Sequence, residues 1–285
     1  NDYKAVRNIF EKNHFHGIIH FAAYKAVGES VDDPIKYYRN NINTLLNVAE
    51  LAAEFKVFNF IFSSSCTLYE VPANKEAVSE ETPMGIPDSP YASTKAMGER
   101  ILSDVLKSNG DLKLLSMRYF NPVGAHESGN IGELPQGRPN NLVPFITQTA
   151  MGKLDQLTVF GNDYNTPDGT CIRDYVHVCD IAEAHIVGLQ WLMKQESGTE
   201  ELVNLGTGKG MSVIEMIELF EQVSGAKLNW KVGARREGDI EQIFANAKKA
   251  ETLLRWKSKR TIEDALRDAW NWEMRLMEVA ERFAL

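Results

Sequence analysis

The sequence predicts an α/β protein with a doubly wound parallel sheet and a second, smaller domain. Through the first 121 residues, apolar segments of strand length alternate with longer segments of helical periodicity. This alternation is typical of parallel sheets that carry helices on both faces. The composition changes at residues 122–141, which are rich in Gly, Pro and Asn, and the later strands are short. The 285 residues suffice for one large or two unequal domains.

The elements of the sheet domain can be assigned in order along the chain. Residues 33–55 predict a long helix, because Asp33 is a suitable N-cap and Pro34 suits the first helical position. Other segments before and after this helix show the strand and helix patterns of such a domain. They are a helical pattern over 2–15, strands at HGIIHFAA (16–23), NFIFSSS (59–65) and KLLSMRYFN (113–121), and a helix that begins near Ser89.

The remaining elements mix both types in a smaller domain that is interleaved with the sheet. The predicted strands are LTVFG (157–161), CIRDYVHV (171–178) and ELVNLG (201–206), and the predicted helices cover about 142–152, 180–195 and 212–224 and two segments near the C-terminus. We expect residues 1–121 to form the sheet domain, with 142–152 and 180–206 returning to it. Residues 122–285 would then form mainly the second domain.

Composition and charge argue against several classes of function. The net charge of −8 and the pI of about 5.4 make nucleic acid or an anionic membrane an improbable partner. No apolar segment approaches the ~18 residues of a membrane-spanning helix. The three cysteines form no CxxC pair, which favours reduced thiols in a cytoplasmic protein. His14, His16 and His20 have no carboxylate cluster beside them, so we expect no metal site.

The stretch DSPYASTKAMGE (88–99) carries the first candidate for catalysis. Ser89 is a suitable N-cap and Pro90 a suitable first helical residue. Tyr91 and Lys95 therefore fall one turn apart on one face of a helix. A phenol normally has a pKa near ~10, and a nearby ammonium lowers it. The pair fits a tuned general base, but the same spacing also occurs on ordinary exposed helix faces.

Polar residues follow the predicted strands at the edge where parallel sheets bind ligands. One strand ends in three hydroxyls, of which Ser65 is well placed to hydrogen-bond a substrate hydroxyl. The alternative is a loop start in which the serines cap their own backbone. The residues at these strand ends are Ser63, Ser64, Ser65, Phe120 and Asn121.

Two further patterns are compatible with phosphate binding. GTGKG (206–210) follows a strand as a dinucleotide-binding loop would, but it lacks the GxGxxG spacing, and Ser212 is the natural cap of the next helix. We interpret it mainly as a tight loop. Arg173, Arg235 and Arg236 lie near Gly and Asp, where guanidinium groups either hold phosphate or form surface salt bridges.

Seven stretches, in their order along the chain, resemble the UDP-galactose 4-epimerases of the extended short-chain dehydrogenase/reductase family. They are HFAAYKAVGES, FSSSCTLYE, SPYASTK, RYFNPVGAH, PQGRPNNLVPFI, FGNDYNTPDGTCIRDYVHV and ARREGD. The resemblance runs from about residue 16 to the C-terminus. The Ser and Tyr-Lys motifs are shared with the wider superfamily, whereas the last two stretches are far more specific. The resemblance implies a Rossmann-like NAD-binding domain and a UDP-sugar-binding domain.

The resemblance also implies an activity in galactose metabolism, the interconversion of UDP-glucose and UDP-galactose through transient hydride transfer from sugar C4 to NAD. Tyr91 would be the base, Lys95 would lower its pKa and hold the nicotinamide ribose, and Ser65 would bind the 4-hydroxyl and relay its proton. The residues that match positions around NAD are Phe21, Ala22, Lys25, Asn40, Ser63, Tyr91, Lys95 and Phe120.

A second set of residues matches the family's pocket for the UDP-sugar. Arg173 and Arg236 would grip the pyrophosphate, and Asp239 would bind the uridine ribose. The full set is Ser65, Asn121, Asn141, Leu142, Phe160, Arg173, Tyr175, Arg236, Asp239 and Ile243.

The sequence departs from the family pattern at three places. Nothing matches the Gly-x-x-Gly-x-x-Gly unit that opens the family's fold, so we expect a longer protein of which roughly the first sixty residues, a βαβ unit, are missing here. Glu70 stands where the pattern usually has Gly. Ile243 occupies the position at which small residues in relatives admit N-acetylated sugars and large aromatic residues exclude them.

Two alternatives to the UDP-galactose activity stay open. The chain could act on another UDP-sugar, such as an N-acetylhexosamine or a pentose. If it truly begins at Asn1, it could instead bind nucleotide sugars without NAD and without a redox cycle. The resemblance further implies a homodimer in which the Tyr91 helix and the 33–55 helix of each subunit pair.

Overall fold

Parallel strands with helices on both faces form the larger part of the molecule. The structure is a computed structural model that describes residues 1–72, 75–135, 137–236 and 238–283. Its helices are α1 (Tyr3–Lys12), α2 (Val27–Asp32), α3 (Pro34–Glu54), α4 (Pro90–Ser108), α5 (Leu142–Ala150), α6 (Val178–Leu192), α7 (Val213–Ser224), α8 (Lys248–Leu254) and α9 (Ile262–Phe283). Its strands are β1 (Ile18–His20), β2 (Asn59–Ser65), β3 (Lys113–Tyr119), β4 (Asn121–Val123), β5 (Leu157–Phe160), β6 (Ile172–Arg173), β7 (Tyr175–His177), β8 (Glu200–Leu205), β9 (Met211–Ser212), β10 (Trp230–Gly233) and β11 (Gln242–Ile243).

The main sheet of the described residues has the strand order β1-β2-β3-β8, and all its neighbouring strands are parallel. Side chains alternate between its two faces. Phe60 and Phe62 of β2 pack against α3 and α4, whereas Ile61 packs against α6 on the other face. The parallel α/β fold is therefore confirmed.

Glycines let one helix on each face approach the sheet closely. A Cβ on Gly98 of α4 would lie 2.4 Å from the ring of Phe62. A Cβ on Gly188 of α6 would lie 2.4 Å from the side chain of Met117. Because Gly98 follows Lys95 by one turn, this close contact fixes the depth of the Tyr91–Lys95 turn above the sheet.

A second core lies outside the main sheet. It unites α5, α7 and α9 with β5 around buried side chains such as Ile146, Phe220 and Leu266. Helix α5 packs against α9 and β5 in this second core. Within 180–206, α6 covers one face of the main sheet and β8 adds a strand to it. The boundary of the two domains near residue 121 stays a prediction.

Three predicted strands differ in extent from those observed. The strand predicted at 16–23 is paired only over β1. The strand predicted at 113–121 ends at Tyr119, and Asn121 begins β4, which pairs with β7. The strand predicted at 171–178 is broken at Asp174, whose side chain is occupied by hydrogen bonds to other loops.

In the described part of the chain, no helix is both long and apolar enough to cross a membrane.

Candidate active site at the carboxyl edge of the sheet

The Tyr91–Lys95 turn begins α4 as the sequence predicts. The Ser89 hydroxyl accepts a hydrogen bond from the backbone N–H of Ala92 at 3.3 Å, and Pro90 occupies the first helical position. The Tyr91 N–H donates to the hydroxyl of Ser30 in α2 at 3.2 Å. These bonds satisfy donors that a helix N-terminus leaves free, and they fix the first turn of α4 beside the strand ends.

Lys95 is buried against β2. Its side chain is only 5% exposed, and Nζ donates to the carbonyl oxygen of Ser63 at 2.6 Å. Nζ lies 5.3 Å from the ring centroid of Phe62 and 5.8 Å from that of Tyr91. Burial lowers the pKa of Lys95 to about 8, and the charge of Glu99 opposes this shift. The alternative of an ordinary exposed helix face is therefore wrong for this pair.

Tyr91 differs from the expectation that Lys95 lowers its pKa. Burial raises the pKa of Tyr91 to about 12, because the phenolate loses hydration, and a hydrogen bond with Ser65 only partly opposes the shift. The Lys95 ammonium is held by the Ser63 carbonyl on the sheet side. The structure thus brings Ser65, Tyr91 and Lys95 together, and burial raises the pKa of the phenol instead of lowering it.

The three serines at the end of β2 have different partners. The backbone of Ser63 binds Lys95, and the Ser64 hydroxyl donates to Glu99 Oε1 at 2.5 Å. Ser65 Oγ accepts from Thr67 N at 3.3 Å and from Thr67 Oγ1 at 3.0 Å, so it also caps the short 3₁₀ turn that follows. The capping alternative is therefore observed at Ser65, whose hydroxyl also forms a hydrogen bond with Tyr91, so its role toward a substrate stays a prediction.

A buried ion pair joins α4 to β3 one turn beyond Lys95. Arg118 of β3 donates to Glu99 of α4 in a bidentate way, at 2.9 Å and 2.6 Å. Arg118 is 3% exposed and its guanidinium lies 4.5 Å from the ring centroid of Tyr69. The sequence patterns did not predict this pair. The signal was present, since Glu99 continues the face of Tyr91 and Lys95 at a spacing of four residues.

The residues predicted to surround NAD lie near the same edge. Phe21, after β1, is 56% exposed and its ring contacts that of His185 in a tilted arrangement, with centroids 4.6 Å apart. Ala22 lines a small cavity with Asn41 and Lys95. Lys25, the third residue of that set, is exposed and pairs with Glu133 at 2.9 Å. Of the remaining predicted residues, Asn40 lies on α3 with its amide donating to Asn41 at 3.1 Å, and Phe120 is buried.

These residues fit a nicotinamide dinucleotide on grounds of donor and surface chemistry. An ammonium has three donors, and within the described residues the acceptor recorded for Lys95 is the Ser63 carbonyl alone. A ribose diol could take the remaining donors. The exposed Phe21 ring and the cavity beside Ala22 supply apolar surface next to that ammonium.

The predicted substrate residues form a second group. Arg236 donates to Asp239 Oδ1 at 2.6 Å, and Arg173 Nη2 lies 3.9 Å from the same oxygen. The guanidinium of Arg236 also lies 5.6 Å from the ring centroid of Phe160. Arg235 instead pairs with Asp163 at 2.6 Å, so it follows the salt-bridge alternative. Two of the three candidate arginines therefore converge on one carboxylate.

Other residues of the substrate set occupy three environments. Ile243 is 5% exposed and packs with Cys66 and Phe120, which adjoin Ser65 and Asn121 in sequence. Asn141 precedes α5, and Leu142 and Tyr175 belong to the second core. The Asn121 N–H donates to the Asp174 carbonyl at 2.9 Å. Burial raises the pKa of Tyr175, and the charge of Arg173 opposes that shift.

The GTGKG segment is a tight loop, as predicted. Its Thr207 and Gly208 N–H groups donate to the buried Asp174 carboxylate at 2.8 Å and 2.9 Å. Gly208 has φ of +77°, a conformation that favours glycine. The N–H groups that would hold a phosphate are therefore already used, and the phosphate interpretation of this loop is wrong. Among the described residues, no cluster of three or more His, Cys, Asp or Glu side chains could hold a metal ion.

Comparison with known proteins identifies relatives over most of the chain. Residues 1–206 match the model of the NAD dependent epimerase/dehydratase family. A UDP-glucose 4-epimerase of Neisseria meningitidis is 45% identical over 271 residues, which cover 95% of this chain and 79% of that protein. The UDP-glucose 4-epimerase of Bacillus subtilis is also 45% identical, with the same coverage.

Two solved structures are similar throughout the fold. The UDP-glucose 4-epimerase of Stenotrophomonas maltophila, with bound NAD and formylated UDP-arabinopyranose, superposes with a TM-score of 0.93 at 39% identity, covering 98% of this chain and 82% of that chain. The enzyme of Bifidobacterium longum, in complex with NAD+ and UDP, gives a TM-score of 0.91 at 42% identity, covering 96% and 81%.

Proposed function

Because the chain belongs to the NAD dependent epimerase/dehydratase family, we propose that it catalyses the reversible 4-epimerisation of UDP-glucose and UDP-galactose with NAD as its cofactor. The observation that carries the proposal is the meeting of Ser65, Tyr91 and Lys95 at the carboxyl edge of the parallel sheet. The convergence of Arg173 and Arg236 on Asp239 supports a pyrophosphate and ribose site. This activity belongs to galactose metabolism.

Proton transfer at the sugar's 4-hydroxyl is the task of the protein side chains. The Ser65 hydroxyl binds that oxygen and relays its proton to Tyr91, which returns the proton when the hydroxyl is re-formed on the other face. Lys95, charged below its pKa of about 8, holds a ribose and supplies positive charge 5.8 Å from the phenol ring. NAD, when bound, supplies a hydride acceptor that is regenerated in each cycle and a positive charge that opposes the effect of burial on the Tyr91 pKa.

The proposal is tested by incubating the purified chain with NAD and UDP-galactose and measuring UDP-glucose. The NAD content released on denaturation is measured in parallel, because a regenerated cofactor should remain bound. Formation of UDP-glucose, with no net accumulation of NADH, is the expected result. Binding of UDP without any interconversion would overturn the proposal and favour a nucleotide-sugar-binding protein.

A second candidate function is epimerisation of a different UDP-sugar. The position of Ile243 favours this second candidate, because its side chain packs beside Cys66 and Phe120, which adjoin Ser65 and Asn121 in sequence. The Stenotrophomonas relative was solved with formylated UDP-arabinopyranose, a UDP-sugar other than UDP-glucose or UDP-galactose, which supports this candidate.

We predict that Ile243 tunes acceptance of N-acetylated sugars. Ile243→Gly should raise kcat/KM for UDP-N-acetylgalactosamine relative to UDP-galactose by about 10-fold, and Ile243→Tyr should lower the ratio similarly, because pocket volume beside the sugar changes. The ratio is measured with both substrates on each variant. Equal ratios in all three proteins would show that Ile243 does not line the sugar pocket.

We also propose a homodimer that forms through α3 and α4. These helices pack side by side, and apolar side chains on them are exposed. Ile35 is 61% exposed, Leu46 44% and Met97 46%.

A cytoplasmic location is proposed as well, since Cys66, Cys171 and Cys179 are all free thiols, as expected in a reducing compartment.

A further inference from the structure

One carboxylate joins the two halves of the site. Oε1 of Glu133 accepts a hydrogen bond from Lys25 Nζ at 2.9 Å and another from Asn141 Nδ2 at 2.8 Å. Lys25 lies between β1 and α2, in the set of residues that match the cofactor positions. Asn141 precedes α5, in the set that matches the substrate pocket. Glu133 thus bridges side chains that are 108 and 8 residues away in the sequence.

Helix α9 holds the backbone of Glu133 in place independently of these bonds. Trp272 of α9 donates from its indole Nε1 to the Glu133 carbonyl oxygen at 2.9 Å. The preceding residue, Gly132, lies so close to that indole that a Cβ on it would be 2.4 Å from the ring. The backbone at 132–133 is therefore attached to α9, and the carboxylate extends from an anchored segment.

The bonds of Asn141 show that its side chain is committed to this bridge. Asn141 is the N-cap of α5, but its side chain makes no capping hydrogen bond. Its amide instead donates to Glu133, and a carboxylate is a stronger acceptor than a neutral group. Lys25 is 67% exposed and Glu133 34%, so their ion pair contributes little to stability. The shared acceptor nevertheless sets the separation of Lys25 from Asn141, because both side chains donate to the same oxygen of Glu133.

We propose that Glu133 is a positioning residue that couples the cofactor side of the site to its substrate side. The inference rests on the proposed function, since it uses the roles assigned to Lys25 and Asn141. Lys25 has three donors, of which Glu133 takes one, so it can hold a cofactor oxygen at the same time. Loss of the carboxylate frees Asn141 and Lys25 to move apart, which weakens substrate binding more than it slows the chemical step.

The test measures KM and kcat for UDP-galactose on the NAD-loaded enzyme. Glu133→Ala should raise KM by about 10-fold while kcat stays within about two-fold, as expected for a lost charge-assisted hydrogen bond in binding. Glu133→Gln keeps an acceptor for Asn141 and should restore KM part of the way. Glu127→Ala is the matched control, because Glu127 is an exposed carboxylate in the same loop and should leave KM unchanged.

A double-mutant cycle tests the coupling itself. Lys25→Met and Glu133→Ala should each raise KM, and the double variant should be little worse than the stronger single variant. Effects that multiply, or a Glu133→Ala enzyme with unchanged KM, would overturn the inference. If the unmodified chain shows no epimerase activity, the proposed function fails instead. In that case the Kd of UDP is measured by calorimetry for the same two single variants and the double variant. Independent effects of the two substitutions on this Kd would again contradict the coupling through Glu133.

Discussion

His20 is a buried histidine whose protonation state affects stability. It is 6% exposed, and its ring lies over Phe60 and Phe62 at centroid distances of 6.0 and 6.2 Å. Burial, with a smaller effect of the Lys95 charge, lowers its pKa to about 4. The folded protein therefore resists protonation that the unfolded chain accepts below its ordinary pKa of about 6.5. Its contribution to stability is fully present above pH 6.5 and is lost as the pH falls toward 4.

We predict that this histidine alone removes about 3 kcal/mol of unfolding free energy between pH 6.5 and 4, from a shift of about 2.5 pKa units. The measurement is urea unfolding at several pH values for the wild type and for His20→Gln. The variant should lose this part of the acid sensitivity. His14→Gln, which changes an exposed histidine, should retain it. Identical pH profiles for wild type and His20→Gln would contradict the assignment.

The residues of the site differ in how well the sequence predicted them. Local spacing and a shared motif predicted Ser65, Tyr91 and Lys95, which the structure brings close together. Glu99 and Arg118 were not, because their pairing depends on how α4 lies across β3. The predicted direction of the Tyr91 pKa shift was also wrong. Burial raises this pKa, and burial is a property of the folded chain that the Tyr-x-x-x-Lys spacing does not reveal.

Helix α4 depends on Gly98 for its position. A Cβ there would lie 2.4 Å from the Phe62 ring, and that ring is packed between α4 and the sheet. In an open helix, Gly→Ala is stabilising by about 0.5–1 kcal/mol. At Gly98 the contact between the added methyl group and the Phe62 ring should make the same substitution destabilising. We predict that Gly98→Ala lowers the unfolding free energy by about 1–3 kcal/mol, as overpacking does elsewhere.

The control for this prediction is Gly28→Ala. Gly28 lies in α2, and a Cβ on it would meet no atom within 4 Å. Denaturant unfolding of both variants should give opposite signs. Gly98→Ala should also lower kcat, because the displaced turn carries Tyr91 and Lys95. Equal stability of the two variants would show that α4 has room to accept the added methyl group.

At the level of elements, local signals were reliable and long-range ones were not. The caps of α3 and α4 were predicted from Asp33-Pro34 and Ser89-Pro90, and both are observed. The break between β6 and β7 could not be read from CIRDYVHV, whose pattern is that of one strand. It exists because Asp174 binds two distant loops. The packing of α5 with the second core likewise depends on contacts with α9, which is over a hundred residues away.

The whole molecule exposes an apolar surface on α3 and α4 that fits self-association. We predict that the wild type has twice the mass of one chain by light scattering. Ile35→Asp should shift it toward the monomer, because it places a charge on the proposed interface. Ile86→Asp is the matched control, since Ile86 is 97% exposed outside these helices. A monomeric wild type, or equal effects of the two variants, would contradict the proposed interface.

The central claim concerns the molecule as an enzyme, in which Tyr91 carries the proton of the sugar's 4-hydroxyl. The most direct test compares UDP-galactose to UDP-glucose conversion by the wild type and by Tyr91→Phe, with NAD present at saturation. We predict that the variant keeps its folded structure and its UDP affinity but loses at least about 100-fold in kcat, as expected for a missing general acid–base group. A Tyr91→Phe protein that interconverts the two sugars at the wild-type rate would contradict the proposed role of Tyr91 in proton transfer.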